Sequence, residues 1–389
     1  MPYDVAVIGG GPAGSVAAAT LARRGAQVVL IDGSHPREKP CGGGYTGRAL
    51  ALIDPLVKTD ALEATRIHHA RFLDTTRSRE ASVNLTARDN TLVVASRAHV
   101  DSALFEAAGQ AGATVVRGRV TRIAPGSPHR IQVDRVTGID ATFVIGADGA
   151  NSLVRRTFSH PFRRSELSVA TGFYAHGVTD DAIVLEMVDA PSGYIWSFPR
   201  HDHLAIGICA QADDTTVGEA RDALTRWLMR TGIGRGGALE PYSWPIPSLS
   251  AASFACIELS GDGWLTIGDA AGLVDPITRE GIFFAVQSAL FAADAIGASV
   301  AAAAAAYSRR VREEIVPELA LAARLKAGFF KPRCTRLLID ALASSPKIQA
   351  VMADLVAGTQ PYHTLRRRLI ATLELRLAWS WWRSVQRTA

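Results

Sequence analysis

Five short stretches of this chain bring together residue types that do chemistry. Gly9-Gly10-Gly11-Pro12-Ala13-Gly14 is followed by Asp32 at the end of the next apolar run. At that spacing Gly9 permits a tight turn, Gly11 lets the backbone approach a pyrophosphate, and Gly14 allows close helix–strand packing. The Asp32 carboxylate can accept hydrogen bonds from a ribose. Cys41 stands beside Gly42, Gly43 and Gly44; a thiol there is either a reactive group or a small buried side chain next to a turn. Asp148-Gly149 and Gly268-Asp269 are turns at the ends of two further apolar runs, with Ser152 and Arg155 behind the first and Pro276, Gly281 and Ile282 behind the second. Tyr194, Trp196 and Phe198 alternate ahead of Pro199, so their rings share one face of a strand, forming either a sheet core or the wall of an apolar pocket.

The elements that must position these groups follow from the same sequence. Tyr3-Asp4-Val5-Ala6-Val7-Ile8 predicts a strand running straight into the first glycine turn. An alanine-rich helix then extends to Arg23-Arg24-Gly25, and a second strand over 27–31 stops at Asp32. Phosphates would meet the N-terminus of that helix, where free N–H groups and the dipole favour anions. Prolines stiffen residues 33–45, and the three glycines let the main chain lie against something flat. Residues 70–73, 81–85 and 91–94 predict antiparallel strands of a different sheet. Arg97 then precedes a helix over 100–111, and strands at 114–116 and 130–133 return to the nucleotide-type part. Further strands are predicted across 168–247, with one helix over 217–229. Gly281 opens a long alanine helix over 282–306, and its dipole would stabilise negative charge beyond the turn. From residue 301 the pattern is helical, with breaks near Pro317, Pro332, Pro346 and Pro361.

The chain of 389 residues is longer than one compact domain usually is, and its 48% apolar and 20% charged content describes a globular protein. A net charge of +5 over this length does not imply nucleic acid, and none is expected as a partner. No signal sequence is expected. The stretch over 282–306 is interrupted by Gln287, Ser288, Asp294, Gly297 and Ser299, so it reads as a buried helix instead of a membrane span. Cys41, Cys209, Cys256 and Cys334 form no C-x-x-C pair, which predicts neither disulfides nor a metal site and points to a reducing, cytoplasmic setting. Near the end, Arg366-Arg367-Arg368, Arg376, Arg383 and Arg387 alternate with Leu369, Ile370, Leu373, Leu377, Trp379, Trp381 and Trp382. Such a helix either lies at a membrane surface or docks on its own domain.

In this order the three glycine and acid motifs resemble the flavoprotein superfamily that includes aromatic hydroxylases, flavin-dependent halogenases and geranylgeranyl reductases, through about Val300. Two more stretches resemble the last branch. Lys39-Pro40-Cys41-Gly42-Gly43-Gly44 looks like its P-C-G-G-G segment, and Tyr194-x-Trp196-x-Phe198-Pro199 followed by Gly207 is similar to its Y-x-W-x-F-P motif. Cys209 and Arg279 depart from the pattern, each standing where glycine is usual. The resemblance implies an α/β fold, α+β overall: a Rossmann-like FAD-binding domain (1–65, 96–160 and 255–300) interleaved with an antiparallel-sheet substrate domain (66–95 and 161–254), then a helical region (301–389). It implies that the unit from Gly9 to Asp32 holds the ADP half of FAD, Asp269 the ribityl chain, and the loop from Pro276 to Ile282 the pyrimidine edge, with Arg97 close by. Pro12, Ala13, Gly33, Cys41, Gly42, Gly43, Asp148, Gly149 and Gly268 complete the implied cofactor contacts. Tyr45, Tyr194, Trp196, Phe198, Pro199 and Gly207 are the implied substrate pocket.

The chemistry that follows is saturation of an isoprenoid carbon–carbon double bond by hydride from N5 of reduced FAD. An unactivated alkene offers no oxygen on which to stabilise charge, so alignment and a dry pocket must do most of the work. Cys41 is the implied group affecting proton delivery or substrate position, with Tyr194 the second candidate donor. No second glycine fingerprint is present, so electrons would come from transient NADPH or a reduced carrier protein. Two alternatives share these motifs. One is a flavin monooxygenase or halogenase acting on an aromatic or specialised metabolite; the other is a flavin-containing membrane-surface protein without turnover.

Overall fold

The computed structural model describes residues 1–86, 91–134 and 136–372. At its centre is a sheet whose middle strand, Tyr3–Ile8, pairs in parallel with Val28–Asp32 on one side and with Val136–Gly146 on the other. Thr114–Arg117 extends the first side and Trp264–Thr266 the second, both in parallel. Val5 to Ile8 and Val28 to Ile31 are all buried, because helices or further strands cover both faces; such strands read as continuous apolar runs. Val120–Ala124 and His129–Val133 form an antiparallel arm on Val136–Gly146. The helices Pro12–Arg23, Arg97–Gln110 and Ile282–Ala298 cover one face, where Ala17, Ala18, Ala289, Ala292 and Ala293 let them approach closely in one core with Val5, Val7 and Leu30.

A second sheet has the order Ala238–Pro247, Leu167–His176, His203–Gln211, Ser192–Pro199, Ala182–Asp189, His69–Asp74 and Arg79–Asn84. It is antiparallel except that Ala182–Asp189 runs parallel to His69–Asp74. Strand alternation gives it two apolar faces. Ile195, Ile206 and Ile208 pack under Trp227 and Leu224 of the helix Val217–Thr231, whereas Trp196, Ala205 and Cys209 face the other way.

Two predicted elements differ from what forms. The strand expected at 91–94 does not join the second sheet; Leu92–Ala95 pairs instead with Gly44–Thr46 and Ala64–Arg66 in a separate three-stranded sheet. Alternating side chains announce a strand and not its partner. The alanine helix ends at Ala298, and a new one, Ala303–Glu314, starts after Ser299 turns extended and its hydroxyl accepts from Ala302 N at 3.4 Å. The remaining prolines behave as expected. Pro317, Pro332 and Pro346 lie in the first turns of Val316–Phe329, Pro332–Ser344 and Pro346–Val356, and Pro361 caps Tyr362–Ala371, where a missing N–H costs nothing. The 332–344 and 346–356 helices pack on the outer strands of the second sheet through Ile339, Leu342, Ile348 and Met352. The arginine and tryptophan segment beyond residue 372 lies outside the described residues.

Candidate active site

One cavity of about 1210 Å³ runs from the first glycine turn, between the two large sheets, to the C-terminal helices. Cavities for a single small ligand occupy roughly 300–1,000 Å³, so this one has room for a cofactor and a second molecule. Its first end is lined by Gly9, Gly11, Pro12, Ala13, Asp32 and Gly33, its middle by Cys41, Gly42, Gly43, Arg97, Asp148, Gly149, Asp269, Gly281 and Ile282, and its far end by Tyr194, Trp196 and Phe198.

At the first end glycine is required by contact. A Cβ on Gly9 (φ +107°) would sit 2.3 Å from the Ala147 carbonyl oxygen, and one on Gly14 1.8 Å from that of Gly9. Gly11 caps the first helix without a side-chain acceptor and with no acid in the first turn, leaving N–H groups free for an anion. Asp32 accepts from Gly10 N (2.6 Å), Ser34 N (2.5 Å), His35 N (2.6 Å) and His35 Nδ1 (2.9 Å), so a ribose would have to share a carboxylate whose acceptor sites are in use. Burial opposes its ionisation, but the His35 imidazole and the N–H groups outweigh that and hold the carboxyl well below its ordinary range. Asp148 has Oδ2 on Leu153 N at 2.6 Å and a buried Oδ1 with no protein partner; burial pushes this carboxyl up.

The Cys41 loop is pinned from two sides. Arg97, buried and bidentate to Asp101 at 2.9 and 2.7 Å, places Nη1 3.6 Å from Cys41 Sγ. Arg200, fully buried, donates to the Cys41 carbonyl at 2.8 Å and pairs with Glu38, which also accepts from Ser96 Oγ (2.7 Å) and Arg97 N (3.0 Å). The flat surface under the glycines is the Phe198 ring. A Cβ on Gly42 would meet it at 2.6 Å, and one on Gly43 (φ +77°) would meet the Ala95 carbonyl oxygen at 2.4 Å.

The loop before the alanine helix is held equally firmly. Asp275 accepts from Ile277 N (2.7 Å) and Thr278 N (3.0 Å), and Tyr362 Oη donates to it at 2.8 Å. Glu280 accepts from Thr46 Oγ1 at 2.8 Å and pairs with Arg48. Lys39 Nζ lies 2.9 Å from Asp269 Oδ2. Tyr194 donates to the Thr278 carbonyl at 3.1 Å, and burial raises its phenol well above the ordinary value, so its proton is committed to the loop.

Six of the predicted contact residues do not line the cavity. Gly14 and Gly268 sit behind it, the latter donating its N–H to Ser288 Oγ at 3.0 Å, and Pro276 lies within the turn. Tyr45 is 1% exposed and packed in the core, because Gly44 and Thr46 take the cavity side and strand alternation sends Tyr45 the other way. Pro199 follows Phe198 and is turned away for the same reason. Gly207 pairs with Trp196 and makes room for it: a Cβ there would be 2.3 Å from the indole. Sequence reasoning missed His35, Glu38, Asp101 and Arg200, and also the wall formed by Phe329, Phe330, Met352, Leu355 and Val356. Only Arg200 left a signal, as the charge directly after Phe198-Pro199.

A cradle of forced glycines at a helix N-terminus, an unpartnered Asp148 oxygen and an adjoining apolar chamber fit a flavin dinucleotide, and fold and site define an FAD-dependent oxidoreductase. A profile of the FAD binding domain matches residues 2–308. Geranylgeranyl diphosphate reductase of Rhodobacter capsulatus is 31% identical over 76% of this chain and 75% of its own length. The chain belongs to the geranylgeranyl reductase family of FAD-dependent oxidoreductases. Among solved structures, a geranylgeranyl bacteriochlorophyll reductase-like protein from Thermoplasma acidophilum superposes with a TM-score of 0.78 at 22% identity, covering 95% of this chain and 99% of that one. The flavin-dependent brominase Bmp2, as a triple mutant, superposes at 0.67 and 19% identity over 96% and 99%. At these identities both likenesses speak for the fold alone.

Proposed function

We propose that this FAD-dependent oxidoreductase saturates carbon–carbon double bonds of an isoprenoid chain of the geranylgeranyl type. The observation that carries the reading is the continuity of the dinucleotide cradle with an apolar chamber walled by Phe72, Leu185, Met187, Trp196, Met352 and Val356. Residues 1–65, 96–160 and 255–300 would hold the cofactor, residues 66–95 and 161–254 the substrate, and the helices after 300 would close the chamber.

FAD bound along the cradle supplies, once reduced, a hydride donor at N5; NADPH or a reduced carrier protein would restore it. Gly9, Gly11 and the first helix would take the pyrophosphate, with Asp148 and Asp269 on the polar chain between the rings. Trp196 and Phe198 would hold the alkene in a fixed plane, and the surrounding methionine, leucine and valine side chains exclude water that would otherwise compete at the reacting carbon. Cys41 stands at the junction of the two regions. Its thiol, 3.6 Å from Arg97 Nη1, would position the substrate or relay a proton to the second alkene carbon. Tyr194 would act as a support of the loop over 275–281, since its proton already serves Thr278.

The test is mass spectrometry of prenyl lipids incubated without oxygen with the dithionite-reduced protein. A gain of two hydrogens per bond, lost in Trp196→Ala and altered in Cys41→Ala, is the expected outcome. No gain with any lipid, together with an oxygenated or halogenated product once air and halide are admitted, would replace this reading with a monooxygenase or halogenase.

A further inference from the structure

Near the strand Ala238–Pro247, Arg279 on the cavity wall is joined from behind by Lys326, Ser248 and Gln211, which do not line the cavity, in a feature that reduction of an alkene does not need. Arg279 and Lys326 both donate to one oxygen, the Ser248 hydroxyl, at 2.5 and 2.8 Å, and Lys326 also donates to Gln211 Oε1. Ser248 in turn donates to the same Gln211 oxygen at 3.0 Å, while the Gln211 amide N–H is turned to the Ser165 carbonyl at 2.6 Å. Two cations are therefore held together by neutral groups. Neither has an ion-pair partner among the described residues; the carboxylates that Lys326 feels, Asp213 and Asp214, act from a more distant exposed turn.

Two further observations bear on this pair. Arg279 has φ +61°, a left-handed conformation that is strained for a side chain of this size and persists only where the surroundings enforce it. Arg279 itself lines the cavity, beside Trp244, Ile246, Phe329 and Phe330, and its Nε is buried without a partner. Like charges drawn onto one hydroxyl repel, so Lys326 gives up its proton easily unless an anion joins the pair, and the adjoining walls are apolar. The ligand that satisfies both is an apolar chain ending in a multi-oxygen anion, to which arginine offers a fork and lysine a point charge.

We propose that Arg279 and Lys326, oriented by Ser248 and Gln211, are the seat of the phosphate group of an amphiphilic substrate whose chain lies in the apolar chamber. The proposal rests on that chamber being the substrate site. The phosphate comes either from a free prenyl diphosphate or from a lipid headgroup.

Calorimetric titration of inorganic pyrophosphate into the FAD-loaded protein tests the seat apart from catalysis, with the flavin cradle already filled. Binding is expected in the wild type and at least tenfold weaker in Arg279→Gly, which suits the left-handed backbone, and in Lys326→Met, with partial recovery in Lys326→Arg. Bound flavin, read by its visible absorbance, shows whether a variant has folded. Kinetics then compare geranylgeranyl diphosphate, digeranylgeranylglyceryl phosphate and geranylgeraniol. The KM ratio of alcohol to preferred phosphate ester should fall tenfold or more in Arg279→Gly, and whichever ester has the lower KM identifies the phosphate source. Pyrophosphate affinity unchanged by both substitutions, or equal KM for alcohol and esters in the wild type, overturns the proposal. Pyrophosphate binding with no hydrogen gain by any lipid sinks the reductase reading instead and leaves the seat standing.

Discussion

At the scale of single residues, the site is defined by what its glycines exclude and by which charges lack partners. Gly207 exists for the Trp196 indole, and Gly207→Ala would drive a Cβ to 2.3 Å from it and 2.6 Å from Tyr242 Oη. Overpacking of this kind costs about 1–3 kcal/mol, so a lower thermal midpoint and a loss of reductase activity together are the expected result. Lys326 gives a pH signature. Burial, with Arg279 adding to it, lowers its ammonium pKa to about 7, against roughly 10.4 when unfolded. Between those values the unfolded chain binds more protons than the native one, so this residue makes stability rise with pH across that window. Denaturant midpoints measured from pH 6 to pH 10 should show a smaller rise in Lys326→Met than in the wild type; an identical slope would contradict the assignment.

At the scale of elements, the loop over 38–44 is a clasp between the two large sheets. Arg200 leaves the strand Ser192–Pro199 to reach the Cys41 carbonyl and Glu38, while Arg97 and Ser96, at the start of the helix Arg97–Gln110, hold the same loop from the other side. Arg200→Met removes one partner of a buried pair and leaves Glu38 half-buried and unpaired. Glu38→Gln leaves the fully buried Arg200 guanidinium without its anion. Each variant is therefore expected to cost about 3 kcal/mol in urea unfolding, and Arg200→Met, which also loses the bond to the Cys41 carbonyl, to lose more turnover. The loop over 275–281 is a second clasp: Tyr362 ties it to the last described helix, so the C-terminal helices support the turn before the alanine helix as well as walling the chamber.

At the scale of the whole molecule, the dinucleotide cradle and the apolar chamber are parts of one cavity, and stability should depend on its occupant. Titrating FAD into flavin-stripped protein should raise the melting temperature with concentration, since a ligand at a hundred times its Kd stabilises the native state by about 2.7 kcal/mol. A melting temperature indifferent to FAD would count against the cradle. No helix of the described residues is long and apolar enough to cross a membrane. Removing residues 373–389 tests the interfacial expectation: vesicle sedimentation should fall while reduction of a detergent-dispersed substrate persists, because Arg368, which holds Asp354, is retained.

The sequence by itself determined the turns and the kinds of element. Gly9, Gly43 and Gly149 adopt positive φ that other residues rarely enter, and the prolines at 317, 332 and 346 mark helix starts, so local backbone constraint is visible in residue type. It also determined that Tyr194, Trp196 and Phe198 share a face, since alternation is a property of any strand. Only the tertiary structure decided what each face meets. It turned Tyr45 into the core, moved Leu92–Ala95 to a third sheet, placed Arg200 under a loop some 160 positions away in the chain, and set Arg279 beside Lys326. Register between distant strands and the docking of the last helices depend on all the packing at once, and no spacing within one segment records them.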